Sequence, residues 1–234
     1  MELEEELDQA FSKFGDEDVI VLCRSNKRAN LFNQQIRARI KWYEEELCAG
    51  DRLMSVKNNY FWLDQTSKAG FIANGDAISI STVKSIEHKY GFDFANVIVE
   101  LCDYEDEPNI EIKILLNTIH VEAPALSITE LKKLYQAIEI EEYAHVKYKK
   151  DRHQKIMKNP YYNALQVKFA YAVTCHKSQG GQWSAVFVEQ GFLTEDMINS
   201  EYLRWLYTAV TRATDKLYFV NFHPKFISNQ ETSY

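Results

Sequence analysis

Val19-Ile20-Val21-Leu22-Cys23 is an unbroken apolar run with acidic residues before it and Arg24-Ser25 after it. A strand with one wet face alternates apolar and polar residues, whereas a strand without alternation is buried on both faces, as in a parallel sheet flanked by helices. The same texture returns late in the chain, at residues 167–173, 185–189 and 217–220, with a helical pattern over 194–211 between the last two. After Gly50 the chain reads instead as short β-rich pieces with turn signals, at 53–56, 71–73, 78–83, 97–101 and 110–115, with Asn74-Gly75 as one turn. This order predicts a parallel α/β sheet interrupted by a small antiparallel barrel.

The helices read as plainly. Leu3, Leu7, Phe11 and Phe14 recur at helical spacing and stop at Gly15. Ser25 is placed to cap a helix that carries Leu31, Phe32, Ile36 and Ile40. Ser127-Ile128-Thr129-Glu130 has the form of a capping box, and helical periodicity after it predicts one long, partly solvated helix to about Met157. The expected domains are residues 1–48 with 160–234 for the sheet, 49–126 for the barrel and 127–159 for a connecting helix.

Composition narrows the function. No apolar run approaches the ~20 residues that cross a bilayer, and the opening Met1-Glu2-Leu3-Glu4-Glu5-Glu6 is acidic where a secretory signal is basic, so a cytoplasmic setting is expected. Cys23, Cys48, Cys102 and Cys175 are far apart, form no C-x-x-C pair and read as free thiols. A net charge of −7 argues against a protein that coats nucleic acid by bulk electrostatics, but not against one with a local basic groove around Arg24, Lys27, Arg28, Arg37 and Lys177. Asp93, Glu100, Asp103, Glu105, Asp106 and Glu107 are dense enough to raise paired metal carboxylates of a nuclease. Their crowding beside Pro108 fits a solvated acidic hairpin better, and no metal site is expected.

Two polar strings sit where apolar strands or helices end, the usual place for ligand-facing groups in an open α/β sheet. The first is Ala172-Val173-Thr174-Cys175-His176-Lys177-Ser178-Gln179-Gly180-Gly181-Gln182-Trp183, and the second is Tyr207-Thr208-Ala209-Val210-Thr211-Arg212-Ala213. By residue type alone, the first is a polar loop whose Gly180-Gly181 permits a sharp turn or a close approach to phosphate, and the second is a helix ending in an arginine. Together they resemble the second motor domain of superfamily 1 DNA helicases, and among these the alpha subunit of exodeoxyribonuclease V and its relatives. Arg24-Ser25-Asn26-Lys27 with Asn33 and Arg37 resembles the strand-to-helix segment of that domain. Gly50-Asp51-Arg52-Leu53-Met54, Lys57-Asn58-Asn59-Tyr60 and Asn74-Gly75-Asp76 resemble its inserted barrel. The resemblance spans about residues 15 to 80 and 165 to 222.

The resemblance implies a RecA-like parallel sheet, of the P-loop NTPase kind but without the P-loop, carrying an SH3-like β-barrel. It implies that Thr174, His176 and Lys177 face single-stranded DNA, with Arg24, Asn33, Arg37, Asn59 and Tyr60 as further strand contacts. It implies that Gln179 and Arg212 act on the γ-phosphate of ATP, with Gly180, Gly181 and Gln182 also on the nucleotide side, and that Mg2+ accompanies the ATP. Asn33 and Arg37, four apart on one helix face, also fit an ordinary polar surface pair, and Phe61 and Trp62 fit the barrel core. The family usually has glutamate at the position of Gln182 and often aspartate near Ser184, and the barrel turn at Asn74-Gly75-Asp76-Ala77 lacks the second glycine common in relatives.

No G-x-x-x-x-G-K-[ST] loop occurs anywhere in the chain. The expectation is therefore the second motor portion of an ATP-dependent DNA helicase, inactive by itself, whose first motor domain precedes Met1 in the natural protein. Possible nuclease subunits are further partners, and DNA repair and recombination are the processes the resemblance implies. The alternative is a stand-alone nucleic-acid- or partner-binding module that kept the fold and lost the motor.

Overall fold

A computed structural model describes residues 2–64, 66–104, 106–223 and 226. The chain divides into two compact units, residues 1–44 with 171–234 and residues 45–170.

The first unit is built on a parallel sheet of four strands in the order β7-β1-β8-β9. β1 (Val19–Cys23) pairs with β7 (Ala172–Thr174) on one side and β8 (Trp183–Glu189) on the other, and β9 (Ala213–Val220) lies beside β8. All five residues of β1 are buried, as an unalternating apolar strand requires. α1 (Glu2–Phe14) buries Leu7, Ala10 and Phe11 and ends where Gly15 adopts φ +81°. α2 (Asn26–Arg39) begins at Ser25, whose side-chain oxygen accepts from Arg28 N–H. The expected helix over 194–211 is a single 3-10 turn at Glu195–Met197 followed by α5 (Ser200–Val210), capped by Asn199.

The second unit is a closed five-stranded barrel, β2-β3-β4-β5-β6. β2 (Arg52–Ser55), β3 (Ala77–Lys89), β4 (Phe92–Leu101) and β5 (Ile110–Leu115) run antiparallel, and β6 (Leu165–Phe169) closes it antiparallel to β2 and parallel to β5. The single strand expected over 167–173 is therefore two strands in two units. Val167 and Phe169 register with Ser55 and Leu53, while Ala172 and Val173 register with Val21 and Leu22. The expected boundary at 160 falls at 171 for that reason, and the segment 127–159 belongs with the barrel.

The expected long helix is two, α3 (Ile128–Glu142) and α4 (Lys149–Met157). The capping box is present at Ser127 and Glu130. Leu134 and Ile138 of α3 and Ile156 of α4 pack on Phe92, Phe94 and Leu115 of the barrel. α3 ends in tertiary contacts. Glu142, the last residue of α3, accepts hydrogen bonds from Tyr90, from Lys89 Nζ at 3.1 Å and from Asn159 Nδ2 at 2.7 Å. No helix among the described residues is long and apolar enough to cross a membrane.

Candidate functional site

β7 ends at Thr174 and the chain enters a 3-10 turn, Cys175–Ser178, closed by Ser178 Oγ donating to the Cys175 carbonyl at 2.8 Å. Ser178 and Cys175 are buried, which leaves His176 and Gln179 exposed and Thr174 and Lys177 half-buried. The two glycines that follow have different reasons. Gly180 holds φ +87°, a conformation that L side chains rarely adopt. A Cβ on Gly181 would collide with the ring of Trp183, so the indole occupies the space of a side chain. The close approach at Gly181 is thus to a ring of the chain itself.

Lys177 has no hydrogen-bond or ion-pair partner among the described residues, and burial alone holds its ammonium below the usual lysine range. A desolvated cation with no carboxylate beside it is under-satisfied, and an anion is the group that would relieve it.

Arg212 follows the C-terminus of α5. Its Nε donates to the Thr208 carbonyl at 3.1 Å, Nη1 to the Gly181 carbonyl at 3.2 Å and Nη2 to Thr211 Oγ1 at 3.2 Å. Trp183 N–H in turn donates to the Arg212 carbonyl at 2.9 Å. The two polar strings, distant in sequence, therefore meet at Gly181, Trp183 and Arg212. Three of the five N–H donors of a guanidinium are occupied here, and the other two remain for a ligand. Gln179, Gly180 and Gln182 are exposed beside it.

Arg24, at the end of β1, lies with its guanidinium 5.5 Å from the Tyr202 ring and 5.7 Å from the Trp205 ring. Tyr202 is itself fixed, being buried with its hydroxyl held by the Gln190 amide. Arg24, His176 and Gln179 share a cleft of about 480 Å³ whose other wall is α5, through Arg204, Trp205 and Thr208. Sequence reasoning missed that wall. Its signal was present as polar and aromatic residues at helical spacing, Glu201, Arg204, Trp205 and Thr208, on one stripe of α5.

Three of the expected strand contacts have partners within the protein. Asn33 is buried; its Nδ2 donates to the Ala172 carbonyl at 2.9 Å and its Oδ1 accepts from Ala172 N–H at 2.7 Å, latching α2 to β7. Arg37 is 7% exposed with its guanidinium over the Tyr43 ring. In the barrel unit, Asn59 donates to the Asn163 carbonyl at 2.8 Å and accepts from Phe61 N–H at 3.0 Å. Asn33 and Arg37 are thus buried and Asn59 half-buried, each with partners within its own unit, and an amide whose polar atoms are so engaged has less to offer a strand. Tyr60 is different: it is 69% exposed and stacks on Phe71 at 4.7 Å. Phe61 and Trp62, expected in the barrel core, are only half-buried, and Trp62 donates to the Asn163 carbonyl at 2.9 Å.

Among the described residues no group of three His, Cys, Asp or Glu side chains is placed to hold an ion. Asp106 pairs with Lys68 at 2.8 Å, Glu107 accepts from Ser67 Oγ at 3.1 Å, and Asp93 lies 2.6 Å from His88. Glu105 lies outside the described residues.

Solved structures similar to the chain include the Pif1 helicase from Candida albicans, at 13% identity and a TM-score of 0.45, covering 90% of this chain and 46% of that one. Another is Bacteroides Pif1 bound to ssDNA, at 13% identity and a TM-score of 0.47, covering 96% and 47%. A third is Bacteroides Pif1 with ADP-AlF3 and ssDNA, at 11% identity and a TM-score of 0.46, covering 97% and 48%. The chain thus spans about half the length of these structures. No curated protein matches it. Residues 169–220, which hold both polar strings and the Gly181–Arg212 contact between them, match the family model of the UvrD-like helicase C-terminal domain.

Proposed function

We propose that the sheet unit is the second motor unit of an ATP-dependent DNA helicase related to the alpha subunit of exodeoxyribonuclease V. In this reading it grips single-stranded DNA through the turn at Thr174, His176 and Lys177, and presents Arg212 to a nucleotide held mainly by a first motor unit of the same protein. The observation that carries this is the meeting of Arg212 with Gly181, which makes one site of the two helicase-like strings.

The residues present fit one end of the nucleotide. Two free guanidinium N–H groups beside the exposed Gln179, Gly180 and Gln182 suit a phosphoryl group, for which a planar cation is the favoured partner. ATP bound there supplies the phosphoryl transfer that drives stepping. Mg2+ and the remaining phosphates fall to the first motor unit, since the phosphate loop is absent from this sequence. Lys177 and His176 hold strand phosphates, and Arg24 extends the basic surface along the cleft. The barrel adds Tyr60, whose exposed face can stack on a base. Nuclease subunits as partners, and a place in DNA repair and recombination, belong to the same proposal.

Fluorescence anisotropy of a labelled oligothymidine at low salt tests this reading. Weak, salt-sensitive binding is expected, with Lys177→Ala lowering both affinity and, by about 1, the salt slope. Arg212→Ala leaves strand binding unchanged. DNA-stimulated ATP hydrolysis by the 234-residue chain, or equal loss of binding in both variants, would sink the division of roles.

A further inference from the structure

A second surface of the sheet unit is largely apolar, the charges lining it, Glu4, Arg28 and Arg39, being held in ion pairs (Arg28 with Glu189, Arg39 with Glu4), and among the described residues it has unpaired carboxylates only at one end. Between α1 and α2 runs a groove of about 270 Å³ whose lining includes Leu3, Leu7, Leu31, Phe32, Ile36 and Ile40. Leu31 is 43% exposed, so the apolar lining reaches solvent. The groove shares Glu4, Arg39 and Ile40 with a second hollow of about 330 Å³ that adds Glu5, Asp8 and Trp42. Arg39 is paired with Glu4 at 3.2 Å, while Glu5 and Asp8 are exposed carboxylates without a partner among the described residues.

Trp42 is 79% exposed and sits at φ 57°, in the left-handed region that favours glycine. Tyr43 N–H donates to the Arg37 carbonyl at 2.9 Å and Lys41 N–H to the Ile36 carbonyl at 3.0 Å, so the chain wraps past Trp42 and holds the indole outward. A bulky residue in that conformation costs stability, and an exposed indole gains nothing from the core in return.

We propose that this groove docks a basic amphipathic helix of a partner protein. Apolar side chains at helical spacing fill the Leu31–Phe32–Ile40 floor, and a lysine or arginine lies over the Trp42 ring between Glu5 and Asp8. Charge selects this occupant. A nucleic-acid strand would bring phosphates against carboxylates, and a second copy docking by the same face would bring a second acidic α1, with Glu2, Glu4, Glu5, Glu6 and Asp8. The surface is separate from the Lys177 turn and does not rest on the helicase reading.

The probe is a fluorescein-labelled helical peptide of leucines and lysines, about 18 residues long, long enough to be helical on a surface, with a leucine/glutamate peptide as its counterpart. Binding of the lysine peptide alone is expected in near-physiological salt, weakened about tenfold by Trp42→Ala and by Glu5→Lys. Asp106→Asn, in the acidic tract of the barrel unit, leaves it unchanged. The proposal is overturned if neither peptide binds or both bind equally. It is overturned also if Asp106→Asn weakens binding as much as Trp42→Ala, or if sedimentation shows a dimer that Trp42→Ala dissociates. Glu5→Lys changes an exposed helix position, so the test stands even where Trp42→Ala alters the end of α2.

Discussion

Lys113 of the barrel unit and Lys177 of the sheet unit are treated in opposite ways. In the barrel unit Lys113 is 6% exposed and fully engaged, donating to Glu87 Oε1 and Asn96 Oδ1 at 2.6 Å each, with its Nζ 4.0 Å from the Tyr161 ring. Tyr161 returns to Glu87 Oε2 at 2.9 Å, and Lys89 lies over the same ring and reaches Glu142 at the end of α3. In the sheet unit Lys177 is half-buried with no hydrogen-bond or ion-pair partner among the described residues, and Arg24 lies over the Tyr202 and Trp205 rings. Burying a cation costs free energy, a cost that a carboxylate offsets at Lys113 and that is left standing at Lys177. The difference separates cations that hold the fold from cations kept for a ligand.

Breaking the barrel network should give the largest effect. Glu87→Ala leaves Lys113 buried without its carboxylate and should cost about 3 kcal/mol, read from the urea midpoint. The hydrogen bond from Lys113 pulls Glu87 from its ordinary value of 4.5 down to about 2. A depressed carboxylate contributes stability that is present above 4.5 and lost as pH falls through about 2. Glu87→Gln should therefore flatten the acid limb of the stability profile, and an unchanged limb would show that the network does not hold the unit.

A comparable cost is expected at one place in the sheet unit. Glu189 is fully buried, with Arg28 donating to its Oε1 through Nη2 at 2.6 Å and Nε at 3.0 Å. Arg28→Ala strands that carboxylate and should cost about 3 kcal/mol by thermal or urea unfolding. If Arg28→Ala were silent while strand binding fell, Arg28 would move from the holding group to the ligand group.

How far these roles were legible in the sequence depends on whether the deciding partner was local. β1, β5 and the Ser127–Glu130 capping box were readable because apolar continuity and cap chemistry are properties of a few neighbouring residues. The division at Ala170-Tyr171 was not, since β6 and β7 are both short apolar strands and only their partners, β2 and β1, tell them apart. Asn33 and Arg37 read as strand contacts or a surface pair because nothing local reveals the Ala172 backbone that Asn33 meets. The polar strings were readable as chemistry, while the contact that joins them, Arg212 to Gly181, appears only in the fold.

Lys177 carries the next prediction, smaller and opposite in sign. Its pKa is lowered by burial, so between the folded value and the ordinary 10.5 the unfolded chain binds more protons and stability rises with pH. At neutral pH the charge is a net cost, and Lys177→Met should raise the thermal midpoint while weakening oligothymidine binding severalfold. Loss of both stability and binding would place Lys177 with Lys113, as a cation that holds the fold.

The smallest effect sharpens what pairing means. Lys68 and Asp106 form an ion pair at 2.8 Å, but their side chains are 70% and 82% exposed. Each is already solvated, so the pair gains little over water, and the ordering of two long side chains offsets part of that gain. Asp106→Asn should change stability by less than about 0.5 kcal/mol and leave oligothymidine binding intact. A larger loss would mean that the acidic tract organises the loop around Ser67, where Glu107 also bonds, and that pairing rather than burial marks the structural charges of this chain.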